Sequence, residues 1–271
     1  MRDREPWMQA YRVQRKDEFD LVEKGIQECQ LVLTSKIPKA FVEVARALLL
    51  RRAMNGVSAM TTLASYGYTT EVRIQYRSVL EAIMRMTALC LDPELFNDYR
   101  AQGELANLGM AKDLLNLRTK SQMSAEEEPT EEQITSMIDL LDRRIAEADG
   151  LYPRKMKKKI EGYEWAEKAG LVSLYWGHYA SLSLAVHHSL QDNERHLERG
   201  GDGTITGIEI GPERDEAIRF LLDATQALFG AVRAFVKTTQ QSMPGSYIRV
   251  AGEAHRRYVA MFKGAKGGRS V

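Results

Sequence analysis

Two cysteines, Cys29 and Cys90, are all that a chain of 271 residues offers for cross-linking or thiolate chemistry. They exclude a disulfide framework and a zinc site built on cysteine. Neither has a second Cys or a His beside it, so a cysteine nucleophile is not expected. Proline is scarce, at 7 residues, which leaves long stretches open to helix. An excess of one charge is missing too. Lys plus Arg is 38 and Asp plus Glu is 37, which excludes a basic nucleic-acid coat and an acidic solvating tail as descriptions of the whole chain. The opening Met-Arg-Asp-Arg-Glu-Pro-Trp has no apolar core of a secretory leader. Residues 169–191 lack Asp, Glu, Lys and Arg, a run long enough to raise the question of a membrane span. Ser173, His178, Ser181, Ser183, His187, His188 and Ser189 lie inside it, and each would need a partner in lipid. The expectation is a helix buried in a cytoplasmic protein with no membrane partner. The sequence also lacks GxSxG, HExxH, a Walker A loop and the kinase set.

What is present is helical periodicity. Phe19, Leu21, Val22, Ile26, Cys29, Val32 and Leu33 mark a helix over 17–35. Pro38 suits the first turn of a long helix over 38–66, in which Gly56 is a weak point and after which Gly67 is the expected stop. Residues 69–91 form the most apolar helix of the first half, and Asp92-Pro93 separates it from another over 93–120. Composition then shifts: Ala-Glu-Glu-Glu-Pro before, and Arg-Lys-Met-Lys-Lys-Lys after, a polar amphipathic helix at about 131–148. This is expected to be a charged insertion over about 121–160. Helices are further expected at 163–169, 171–190, 212–241 and 245–262. A glycine-rich stretch over 199–212 suits a short hairpin or loop and carries no dinucleotide signature. The sum is an all-α bundle of about seven to nine helices. Residues 1–16 read as a disordered arm, 17–262 as one helical domain, and 263–271 as a flexible tail.

One polar constellation stands out. Arg77 and Glu81 lie one turn apart on a helix that is apolar nearly all round, so the pair is expected to be partly buried. Arg preceding Glu at this spacing is the weaker order for surface pairing. On the helix over 171–190, Tyr179, Ser183 and His187 recur at i, i+4 and i+8, within about 80° of one face, and Tyr175 continues the stripe. Facing Arg77 and Glu81, such a stripe is either a structural network, which must be fully satisfied, or a site. In the second reading Arg77 holds a phosphate, His187 is acid or base, and Glu81 orients Arg77. His188, Asp192 and His196 could share a face and hold a metal if the helix continues, although a helix end is the plainer reading there, and no metal or cofactor is expected.

Arg77-Ser78-Val79-Leu80-Glu81, Asp92-Pro93-Glu94, Glu164 to Leu171 and Tyr175-x3-Tyr179-x3-Ser183-x3-His187 together resemble a bacterial helical family of unknown function over roughly residues 40–190. That family is in turn distantly similar to the HEPN superfamily of helical RNases, toxins and nucleotide-associated modules. The HEPN signature is Arg, four to six residues, then His. Arg249-x5-His255 has the spacing, but Val250 stands where that superfamily has a polar residue, so no ribonuclease site is carried onto it. The resemblance implies a defence or toxin–antitoxin type of module acting on RNA or nucleotides through Arg77, Glu81, Tyr179, Ser183 and His187. The alternative is a non-enzymatic scaffold or regulatory binding protein, with a second copy of the chain as a candidate partner in a homodimer, in which the same residues form a core network. The basic, aromatic last helix suits a solvated terminus or contact with RNA or a partner.

Overall fold

The structure, a computed structural model, describes residues 4–120, 129–151, 160–186, 194, 197–208 and 215–266. Its helices in chain order are α1 (Arg4–Gln14), α2 (Lys16–Thr34), α3 (Phe41–Ser65), α4 (Thr69–Leu91), α5 (Leu95–Thr119), α6 (Glu131–Leu151), α7 (Gly162–Lys168) and α8 (Val172–Leu174). A π-helical turn (Tyr175–Tyr179) and α9 (Ala180–Val186) follow. A two-stranded antiparallel hairpin, β1 (Leu197–Arg199) with β2 (Ile205–Ile208), precedes α10 (Asp215–Thr239) and α11 (Gly245–Lys266). The chain is all-α apart from that glycine-rich hairpin. No helix among the described residues is long and apolar enough to cross a membrane.

Two compact units emerge where one domain was expected. The first comprises residues 1–91 and 165–271, the second residues 92–164. In the first, α4 packs against both α3 and α10, and α2 packs against α3, α10 and α11. Leu50, Val57, Met60, Leu80, Met84, Leu89, Leu221, Val232 and Tyr247 are buried between them, and burial of such side chains is the main source of stability. Gly56 is where α3 meets α4: a Cβ there would fall 2.4 Å from Val79 Cγ2. The residue that looks like a helix weakness is thus what lets two helices touch. Gly67, at φ 72°, closes α3; the Tyr68 amide donates back to Leu63 O and the Gly67 amide to Ala64 O, a left-handed helix stop. Arg46, buried in the interior, donates from Nε and from its terminal nitrogen to Leu89 O, at 3.0 and 2.6 Å. It neutralises the carbonyl end of α4, where a cation is favoured.

Residues 4–14, part of the stretch expected to be a disordered arm, form a helix. α1 is polar on most of its surface but folds down through Tyr11, which is buried. Its ring stacks on Trp7 with centroids 4.9 Å apart and meets the Phe19 edge at 6.3 Å. Aromatic anchors one turn apart hold a helix that charge patterning hides.

The second unit extends beyond the expected 121–160, taking in α5. Thr130 and Gln133 form a reciprocal capping box at the start of α6 (Thr130 N to Gln133 Oε1, 2.7 Å; Gln133 N to Thr130 Oγ1, 3.3 Å). Its core is a thin seam of Leu108, Ala111 and Leu141, with Ile138 and Ile145 against it.

The helix expected over 171–190 is also different. It is interrupted by the π turn, where the Ala180 amide reaches Tyr175 O. It lies at the surface of the first unit, with Trp176 and Gly177 exposed and Tyr179 and Leu182 buried.

Candidate functional site

α4 presents two neighbouring polar surfaces to the π turn and α9. The first is the constellation expected from the sequence. Arg77 Nε donates to Ser183 Oγ at 3.2 Å. Its guanidinium lies over the Tyr179 ring, 4.6 Å from the centroid, a cation–π contact. Its terminal nitrogen stands 3.8 Å from Glu81, whose other oxygen pairs with Arg85 at 2.6 Å. Ser183 Oγ donates in turn to Tyr179 O at 3.1 Å, and the Tyr175 ring stacks on Tyr179 at 5.1 Å. Partial burial, with the Glu81 charge beside it, raises the Tyr179 pKa above its ordinary value. The structure therefore brings Arg77, Glu81, Tyr179 and Ser183 together and adds Arg85 to them. His187 lies outside the described residues, as do His188, Asp192 and His196. No three His, Cys, Asp or Glu side chains gather as metal ligands among the described residues.

The second surface begins one residue earlier on each element, at Tyr76 of α4 and His178 of the π turn. With α10 and α11 they line a half-open cavity of about 400 Å³, in the range of small-molecule sites. Asp223 of α10 is its one buried carboxylate. Asp223 accepts the Tyr258 hydroxyl from α11, and its Oδ2 lies 3.9 Å from His178 Nδ1, beyond hydrogen-bond reach. Its Oδ1 has no hydrogen-bond partner among the described residues. Neither has the hydroxyl of Tyr76, a fully buried side chain, nor Gln226 Nε2, one turn along from Asp223. All three of these residues line the cavity. Thr87 also lines it, and the rest of the wall is apolar or small: Ile83, Leu171, Leu174, Ala227, Gly230 and Ala231. Exposed His255 and Ser173 stand at its rim.

Burial sets the electrostatics here. It raises the Asp223 pKa to about 6 against the opposing pull of Tyr258 and Arg219. It raises Tyr76 well above its ordinary value, with the Asp223 charge adding to the effect. It lowers His178, and Arg219 lowers it further. At neutral pH the cavity holds an ionised carboxylate beside neutral His178, Tyr76 and Tyr258. A buried donor or acceptor left without a partner costs about 1–3 kcal/mol, so three in one cavity is a local concentration of unmet hydrogen bonding. The π turn that aims His178 and Tyr179 at the two surfaces is itself a feature enriched at functional sites.

Sequence reasoning missed this cavity. Tyr76 reads there as an apolar neighbour, His178 as part of an uncharged run, and Tyr258 as one aromatic of the terminal helix. The available signal was Asp223, a lone acid inside the apolar run Ile218 to Phe229. Residues 43–204 match a family of unknown function, DUF5677. The chain belongs to that family. No curated protein and no solved structure matches it significantly. The DUF5677 match takes in Tyr76, Arg77, Glu81, His178, Tyr179 and Ser183; Asp223, Gln226 and Tyr258 lie beyond it.

Proposed function

We propose that this DUF5677 protein is a helical binding module that encloses a small polar molecule between α4, the π turn, α10 and α11. The observation that carries this reading is the set of three buried, unpartnered polar atoms, Tyr76 Oη, Asp223 Oδ1 and Gln226 Nε2, whose side chains all line one cavity. A protein interior pairs nearly all such groups. Unpaired groups collected at a cavity are what a ligand uses for orientation and specificity. The Arg77 cluster supports the binding reading from the other side. Arg77 is already held by Ser183, Glu81 and the Tyr179 ring, which suits a scaffold that fixes the π turn more than a free phosphate clamp acting on RNA or nucleotides.

The test is the melting temperature of the full chain against a panel of cationic, neutral and anionic small molecules, because a ligand of the native state raises stability by mass action. At least one charge class raises the melting temperature, and the rise is lost when Ala227→Phe fills the cavity. A panel without effect, or an effect that survives the filled cavity, overturns the proposal. Cleavage of a mixed RNA pool by the wild-type protein, lost in Arg77→Ala, would favour the RNA reading instead.

A further inference from the structure

Resting on that reading, we infer that the cavity takes a primary organic amine, seated with its ammonium group among Asp223, Tyr76 and Gln226 and its apolar body against α10. An ammonium group has three N–H donors and no acceptor. Asp223 Oδ1 and Tyr76 Oη each offer an unused acceptor position, and both lie within side chains that are at least nine-tenths buried. Gln226 supplies the third when its terminal amide turns to present oxygen in place of nitrogen, an exchange that leaves its shape unchanged. A ligand carboxylate would face Asp223 with like charge, and a ligand hydroxyl, with a single donor, would bring no charge to offset that of Asp223.

Charge and aromaticity point the same way. Asp223 is the carboxylate of the cavity, and Tyr76, His178 and Tyr258 present rings around it. The Tyr76 and His178 rings stand 5.8 Å apart. A cation beside a carboxylate and among aromatic faces gains from both. Burial holds the Asp223 acid well above the usual carboxylate range, so a bound cation would relieve a charge that the fold itself keeps uncomfortable. Ala227, Gly230 and Ala231 lie along one face of α10, and their small side chains leave room for a flat or linear apolar body.

The experiment is calorimetric titration of the full chain at neutral pH with 2-phenylethylamine and n-hexylamine, each beside its alcohol, and with phenylacetate. At least one amine binds ten or more times tighter than its alcohol. That preference disappears in Asp223→Asn and is reduced in Tyr76→Phe, while both variants keep the wild-type helical circular-dichroism spectrum. Alcohol or phenylacetate binding as tightly as the amines overturns the amine assignment and leaves the binding reading intact. Failure of both amines to bind also overturns the assignment, and the binding reading is then decided by the neutral and anionic members of the melting panel.

Discussion

Two polar clusters share one helix and one π turn, yet they are built on opposite terms. Around Arg77, the guanidinium has a hydroxyl, a carboxylate and a ring, and Glu81 has two arginines. Around Tyr76, which is the preceding residue, three buried polar atoms have no partner among the described residues. The first cluster resembles an element of the fold: apart from the buried Arg85 Nε its groups are paired, and such a network fixes the register of the helices that carry it. The second is what the fold tolerates at a cost. Proteins keep such costs where activity or binding needs them. Stability measurements on the two sides should therefore differ in sign.

The largest effect is expected on the satisfied side. Tyr179→Ala removes a buried ring that lies under Arg77 and against Tyr175, and should lower the unfolding free energy by about 3 kcal/mol. Urea denaturation reads it directly; a loss under about 1 kcal/mol would mean that the ring does not anchor the π turn.

The next effect has the opposite sign and depends on pH. Asp223 is raised from 3.8 to about 6 in the folded protein. The unfolded chain therefore loses this proton first as pH rises, and the wild type should lose stability between about pH 4 and 6. A displacement of that size is worth up to about 3 kcal/mol. Asp223→Asn has no proton to lose there. The variant should match the wild type near pH 4 and exceed it by about 1–3 kcal/mol at pH 7. The groups facing Asp223 are Tyr76 from α4, His178 from the π turn, Arg219 on its own helix, and His255 and Tyr258 from α11. His178→Gln should leave most of that profile in place. Parallel profiles for wild type and Asp223→Asn would show that the carboxylate is not strained.

The smallest effect sharpens the comparison. Ser183→Ala removes the acceptor for Arg77 Nε and should cost about 1 kcal/mol, the ordinary worth of a partly exposed charged hydrogen bond. No loss in the denaturation midpoint would place Arg77 in solvent rather than in a network.

Much of the architecture is legible in the sequence because apolar spacing and stop signals act locally. α4 begins and ends at 69 and 91 as its periodicity predicts, and the Arg77, Glu81, Tyr179 and Ser183 cluster follows from spacing on two helices. The features that were not legible depend on partners distant in sequence. α1 is folded by Trp7 and Tyr11 stacking near Phe19, which a charged N-terminus conceals. The π turn leaves the i, i+4 pattern of Tyr175, Tyr179 and Ser183 intact while re-aiming His178. Gly56 looks like a flaw in a helix until Val79 is placed beside it. Asp223, Gln226 and Tyr258 belong to helices that begin about thirty residues or more after the recognisable motifs, so the cavity appears only when α10 and α11 close against α4.

The most direct test of the account is the urea midpoint of the double variant Tyr76→Phe, Asp223→Asn at pH 7, measured beside the wild type. Removing an unpartnered hydroxyl and a strained charge should raise the midpoint, because the asparagine of Asp223→Asn keeps an oxygen to accept the Tyr258 hydroxyl while losing the buried charge. A midpoint below that of the wild type would show that these groups are paired and structural, and would contradict the assignment of the cavity as a binding site.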